Sequence, residues 1–399
     1  MRRQLPVSSP LSLPVIWSAV VQATRLTPDP RKALATLLAE EFSAESVVLC
    51  GSGTEALQLA LRAAKQLLDE PPRTVALPAF TCYDVGAAAV GAGARIALYD
   101  LDPATLAPDF DSLRAVLKQG ARVVVVSPLY GVPIDWDALE RIVAPFGAVA
   151  IEDAAQGHGA TWRQRPLGSL GKISVLSFGR GKGWTGIRGG ALLLRSGWQN
   201  ASAAEQRSGS GVGSDLKVVI AAVAQWALGR PGLYALPAAI PWLELGETVY
   251  RDPSPVSPLT RAAAAMVLKS RSAALREAER RRLNAAAFLA DLRSSPHIGT
   301  VDVNEGGQAG YLRLPLRLSS GLSSLPDPAR AIRLGLAPSY PTTLAEVQEV
   351  KALMSESEGR WPGGEELSRD LVTLPSHSRL KGRERAQVLR LLNAGAAPA

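Results

Sequence analysis

Seven short runs of Val, Ile and Leu without polar alternation punctuate the first half of the chain, at 46–50, 74–77, 95–99, 122–127, 148–152, 173–178 and 191–194. Uninterrupted apolar runs of this length mark strands covered on both faces. Helical patterns fill several of the gaps, for example 54–67 and 111–119. The alternation predicts an α/β fold: three layers around a mostly parallel, seven-stranded sheet. A long helix is expected over 258–292, where an apolar stripe runs beside many charges. The run YLRLPLRL, a helix near 343–355 and a final helix from 382 then predict a smaller carboxyl-terminal α+β domain. The expected organisation has three parts. Residues 1–44 form an amino-terminal segment packing on the small domain, and 45–250 a large ligand-binding domain with an apolar insert at 216–250. Residues 251–399 supply the long helix and the small domain. Residues 199–215, rich in Ser, Gly and Ala, read as a mobile connection.

Composition narrows the class. Hydrophobic residues at 47% and charged residues at 20% exclude a disordered chain. Two cysteines, Cys50 and Cys82, and three scattered histidines leave no disulfide scaffold and predict no metal site. The 399 residues carry 44 Lys+Arg against 36 Asp+Glu, a net +8. The pI of about 9.7 invites a nucleic-acid reading, but no reader motif accompanies it and no nucleic-acid partner is expected. Prolines at 6, 10 and 14 interrupt the apolar run of about 7–15 residues that a secretory leader needs. The apolar run at 218–228 is far shorter than the roughly 20 residues a bilayer core requires. A cytoplasmic protein is therefore expected, with peripheral contact at the inner membrane face through 216–242 as a variant.

Ligands of such sheets bind beyond the carboxyl ends of the strands, and three candidate segments lie there. Gly51-Ser52-Gly53-Thr54 follows the first strand and opens a helix, where backbone amides suit a phosphate. Asp153 follows the fifth strand, where it is either a ligand-facing carboxylate or a helix cap. Lys182 follows the sixth strand among glycines, as a solvated loop residue or a Schiff-base amine. Singly each is weak. Jointly, a phosphate cradle, a strand-end acid and a lysine are the parts that pyridoxal phosphate requires.

Several stretches carry a resemblance: IEDAAQGHGA, the Ser-Phe-x-x-x-Lys of SFGRGK, LYGVPIDWDAL, and WPGGEELSRDLVTLPSHSRL near the carboxyl end. Together they resemble the DegT/DnrJ/EryC1/StrS family of sugar aminotransferases, of the aspartate-aminotransferase fold type. The resemblance implies Lys182 as the Schiff-base lysine and Asp153 as partner of the pyridinium nitrogen. It implies Gln156 against the phenolic oxygen, and Gly53, Thr54 and Ser177 around the phosphate. It implies pyridoxal 5′-phosphate as cofactor, glutamate as amino donor, a keto sugar nucleotide as acceptor, and a homodimer. The chain departs from the family pattern where an aromatic usually follows Thr81. Here Cys82 comes first and Tyr83 second, so either the thiol or the displaced phenol would pack on the cofactor ring. Pro128 stands where the family often has His, and prolines occupy 252–258, where it often places Asn and Arg. A non-catalytic or membrane-associated scaffold with the same fold is the alternative these departures suggest.

Overall fold

The protein is described by a computed structural model covering residues 3–67, 74–198, 211–230, 232–234, 248–292, 295, 297–355 and 359–394. Its centre is a seven-stranded sheet: β1 (Ser46–Cys50), β2 (Thr74–Pro78), β3 (Arg95–Tyr99), β4 (Val123–Val126), β5 (Val149–Asp153), β6 (Ile173–Ser177) and β7 (Gly190–Leu194). The spatial order is β1-β7-β6-β5-β4-β2-β3. Strands β3, β2, β4, β5 and β6 run parallel, and β7 lies antiparallel to β6 and β1. The mostly parallel α/β expectation therefore holds. All four valines of β4 are fully buried. Period-two geometry sends Val124 and Val126 to one core layer and Val123 and Val125 to the other. That two-sided burial is why the strand reads as an unbroken apolar run.

Helix α3 (Gly53–Leu67) starts directly after β1. Ser52 caps it, accepting from the Glu55 N–H at 3.1 Å while its own hydroxyl donates to the Glu55 carboxylate at 3.1 Å. The same carboxylate accepts from Ser257 N–H at 2.6 Å and tethers the proline-rich 252–258 segment beside the turn. The long helix α8 (Arg261–Leu292) begins three residues later than the sequence pattern suggests. Pro258 pairs instead with Cys50 in an isolated bridge.

The far half of α8 buries Ala285, Phe288 and Leu292 against a four-stranded antiparallel sheet built from Ile298–Thr300, Leu314–Leu318, Ala337–Pro338 and Leu371–Leu374. The helix expected over 343–355 is broken. A 3₁₀ turn at Leu344–Glu346 and a short helix at Gln348–Lys351 flank Val347, whose backbone is extended. Backbone bonds from Leu344 to Ala79 and from Ser355 to Ile96 pin this stretch to the large sheet and override the helical pattern.

At the amino end Gln4 and Leu5 reach the carboxyl-terminal unit, through Gln4 N–H to Arg333 O and through His377 Nε2, 2.8 Å from Leu5 O. The helices Leu13–Ala23 and Pro30–Phe42 lie instead along α8, tied by Arg261 to Gln22 and Arg271 to Glu41. Val212–Leu228 forms one helix, so the helix starts inside the stretch read as a mobile connection, of which 199–210 lies outside the described residues. It turns Asp215, Val218 and Ala222 inward and leaves Leu216, Ile220 and Val223 exposed. Residues 235–247 of the apolar insert also lie outside the described residues. Among the described residues no helix is long and apolar enough to cross a membrane.

Candidate active site

The carboxyl ends of three neighbouring strands converge: Ser127 after β4, Asp153 at the end of β5 and Ser177 at the end of β6. Together with the start of α3 and the 179–184 loop they enclose a cleft of about 470 Å³. Gly53, Thr54, Cys82, Asp153, Gln156, Ser177 and Lys182 all line it. The elements that carry them are fixed by sheet register, so residues up to 129 positions apart (182 − 53) share one concave surface.

Close approach explains two glycines. A Cβ on Gly53 would lie 2.7 Å from Ser177 Cβ, so only glycine lets the helix start meet the β6 end. A Cβ on Gly183 would lie 2.8 Å from a guanidinium nitrogen of Arg281, which is wholly buried and donates to Gly310 O and His158 O. Arg281 thus wedges the lysine loop from behind. Thr185 Oγ donates to the carbonyls of Phe178 and Gly179, and Trp184 Nε1 donates to Val267 O at 2.7 Å. Lys182 therefore projects from a loop held at several points rather than from a free one.

Asp153 accepts from Ser127 Oγ at 3.0 Å and from Ala155 N–H at 3.2 Å. Burial pushes its carboxyl above the usual range, and Asp84 adds to this. The Lys182 charge and the two hydrogen bonds oppose it. The Cys82 thiol is pushed up to about 12, first by burial and then by Asp84, so it is neutral at physiological pH. Its Sγ donates to Asp84 at 3.6 Å. Tyr83 points elsewhere, its hydroxyl 2.6 Å from Thr342 Oγ1, and does not line the cleft. Gln156 lines the cleft with its amide already engaged: Oε1 accepts from Tyr130 N–H at 2.9 Å and Nε2 donates to Tyr340 at 2.8 Å.

Sequence reasoning missed Ser127, Thr81 and Pro128 as lining residues. Ser127 was legible in principle, because it closes the fourth apolar run as Asp153 closes the fifth. Thr81 is 1% exposed, and its hydroxyl has no hydrogen-bond partner. A buried hydroxyl left so is an unmet polar group facing a ligand site.

His158, though within the IEDAAQGHGA stretch, lies outside the cleft and packs its ring 5.4 Å from Trp184. Burial first, and Arg281 second, push its pKa down to about 3. The unfolded chain takes up a proton near pH 6.5 that the fold refuses, so stability falls as pH drops below that value. Between pH 6.5 and 5 the loss is about 2 kcal/mol. His158→Gln should remove that part of the acid sensitivity, read as the difference in urea midpoints at the two pH values. An unchanged difference would show that His158 does not carry it.

Comparison with known proteins places this geometry. The model of the DegT/DnrJ/EryC1/StrS aminotransferase family matches residues 19–227. A 3-amino-5-hydroxybenzoate synthase from Amycolatopsis mediterranei is 36% identical over 147 residues, 37% of this chain and 37% of that protein. A UDP-2-acetamido-2-deoxy-3-oxo-D-glucuronate aminotransferase from Pseudomonas aeruginosa is 31% identical over 141 residues, 35% of this chain and 38% of its own length. The matched stretch thus spans little more than a third of either curated relative. Among solved structures, the PLP form of a sugar aminotransferase from Streptococcus pneumoniae superposes with a TM-score of 0.75, covering 98% of both chains at 19% identity. That likeness speaks for the fold.

Proposed function

The chain belongs to the DegT/DnrJ/EryC1/StrS aminotransferase family, and on that premise we propose that it transfers an amino group, from glutamate, to a keto sugar nucleotide with pyridoxal 5′-phosphate as cofactor. The observation that carries the reading is the meeting of Lys182, Asp153, Ser177 and the Gly53-Thr54 helix start in one cleft. The cleft suits the cofactor chemically. It offers a primary amine, a strand-end carboxylate, backbone amides at a helix start and hydroxyls from Ser177 and Thr81, one of which has no protein partner.

When bound, pyridoxal phosphate supplies an electron sink for the carbon that gains or loses the amino group. The protein supplies the rest. Gly53 and Thr54 amides and the Ser177 hydroxyl hold the phosphate in the partial positive field of the α3 start. Asp153, oriented by Ser127 and Ala155, holds a proton on the ring nitrogen through its carboxylate. Lys182 Nζ serves as covalent anchor, then takes the proton from the donor's α-carbon and returns it across the same face. Cys82, uncharged and flat against the cleft wall, gives the ring a small packing surface in place of an aromatic.

The test is acceptor screening: purified protein with cofactor, L-glutamate and a panel of keto sugar nucleotides should yield an amino sugar nucleotide and 2-oxoglutarate. Retained cofactor with no product from any acceptor would favour the non-catalytic scaffold instead. We also take the protein as a cytoplasmic homodimer, which the family resemblance supports. The exposed row Leu216, Ile220 and Val223 supports peripheral contact with a membrane face.

A further inference from the structure

One buried cation close to the cleft has no role in the scheme above. Arg313 stands one residue before the strand Leu314–Leu318, at the place where the carboxyl-terminal unit touches the large sheet's loops. Gly310 N–H donates to Gly131 O at 2.9 Å, and Leu312 N–H to Tyr130 O at 2.9 Å. This clasp sets Arg313 beside the 129–131 turn, whose neighbours Pro128 and Leu129 line the cleft. Its Nε and Nη2 are enclosed, and neither has a hydrogen-bond partner.

Other arginines also bury an unpartnered nitrogen, but each is held through another atom. Arg281 donates to two carbonyls, Arg261 to Gln22 and Thr27, Arg317 to Glu366, and Arg385 to Ala287 and Asp291. Among the described residues Arg313 makes no such bond. The groups around it are phenols: Tyr130, Tyr340 and Tyr234. No carboxylate faces it. Two of those phenols lead back to the cleft. Tyr130 N–H and the Tyr340 hydroxyl both bond the Gln156 amide, which lines the cleft. Burial lowers the guanidinium's pKa, the sign of an uncompensated charge. Leaving a charge enclosed and unpaired is among the costlier things a fold can do, and a planar fork of donors matches a carboxylate.

We propose that Arg313 is the docking point for a substrate carboxylate, the α-carboxylate of the amino donor being the first source and a carboxylate on the acceptor the second. The proposal rests on the aminotransferase reading. Arg313 binds and orients; Lys182 moves the proton. A donor anchored on one side by Arg313 presents its amino-bearing carbon to Lys182 in a fixed orientation, while a carboxylate-free amine lacks that hold.

The experiment uses the cofactor-loaded wild type, Arg313→Lys and Arg313→Gln. Donor and acceptor half-saturation are read separately, and binding of glutarate, a carboxylate without an amine, is measured by calorimetry. We expect Arg313→Gln to weaken glutarate about 100-fold and to raise the donor KM by the same factor, with kcat changed far less. Arg313→Lys, which keeps the charge and loses the fork, should fall between. A rise confined to the acceptor's KM would assign the same carboxylate site to the acceptor. Melting temperature should stay level or rise in Arg313→Gln, since an unpaired buried charge is removed, whereas a merely structural arginine would lower it. Unchanged glutarate affinity and unchanged KM for both substrates would overturn the proposal. A wild type that binds glutarate but transfers no amino group would remove the aminotransferase reading and leave the carboxylate site standing.

Discussion

Lys182→Ala should abolish amino transfer, lowering the rate at least about 10⁴-fold, because one side chain is both covalent anchor and proton carrier. It should also remove the visible absorption of lysine-bound cofactor while leaving the fold intact. The substitution touches a loop that other residues hold. Arg281 packs behind Gly183, Thr185 bonds two carbonyls and Trp184 bonds Val267. Near-UV circular dichroism and the melting temperature of the cofactor-free variant should therefore match the wild type. Residual transfer above roughly a hundredth of the wild-type rate would mean that another amine does the work.

The second large effect is expected at Asp153. Asp153→Asn keeps the shape and the Ser127 contact but removes the charge that would hold a proton on the cofactor ring. Breaking a buried charge pair of this kind costs about 3–5 kcal/mol, or roughly 10²–10³-fold in rate. Stability should move the other way. Burial raises the Asp153 pKa in the cofactor-free protein, so its stabilising contribution is present at low pH and is lost as pH rises through the raised value. At neutral pH the wild type carries a strained carboxylate that asparagine lacks. The cofactor-free variant should thus melt at the same temperature or higher while its turnover collapses. A variant with lowered stability and lowered turnover together would point to a structural acid.

The sheet was legible in the sequence because its strands are buried on both faces, so that β4 and β5 show as runs of apolar residues with no alternation. The chemistry was legible for a related reason. Asp153, Ser177 and Lys182 stand at or just past those runs, where parallel sheets collect their ligands. What stayed hidden depends on contacts between distant segments. The break at Val347 comes from backbone bonds to Ala79 and Ile96, more than 250 residues upstream, and no local propensity records them. The choice between Cys82 and Tyr83 was open until the partner of the phenol, Thr342, was known. Arg313 carried no signal at all. It reads as one basic residue in YLRLPLRL, and only its enclosure without a partner sets it apart.

The net charge of +8 also takes a different meaning in the fold. Arg281 is buried behind the lysine loop, Arg282 donates to Gly159 O, and Arg385 is tied to Asp291 and the Ala287 carbonyl. Basic residues of the long and final helices thus act inside the structure rather than as a surface for nucleic acid.

The most direct test of the account is the first half of the reaction, run without any acceptor. Cofactor-loaded wild-type protein is mixed with excess L-glutamate, and in parallel with L-glutamine. The visible absorption band and the released keto acid are followed together. The account predicts that the band disappears while keto acid accumulates in proportion to the protein present, and that Lys182→Ala does neither. A band that persists with both donors, with no keto acid released, would contradict it.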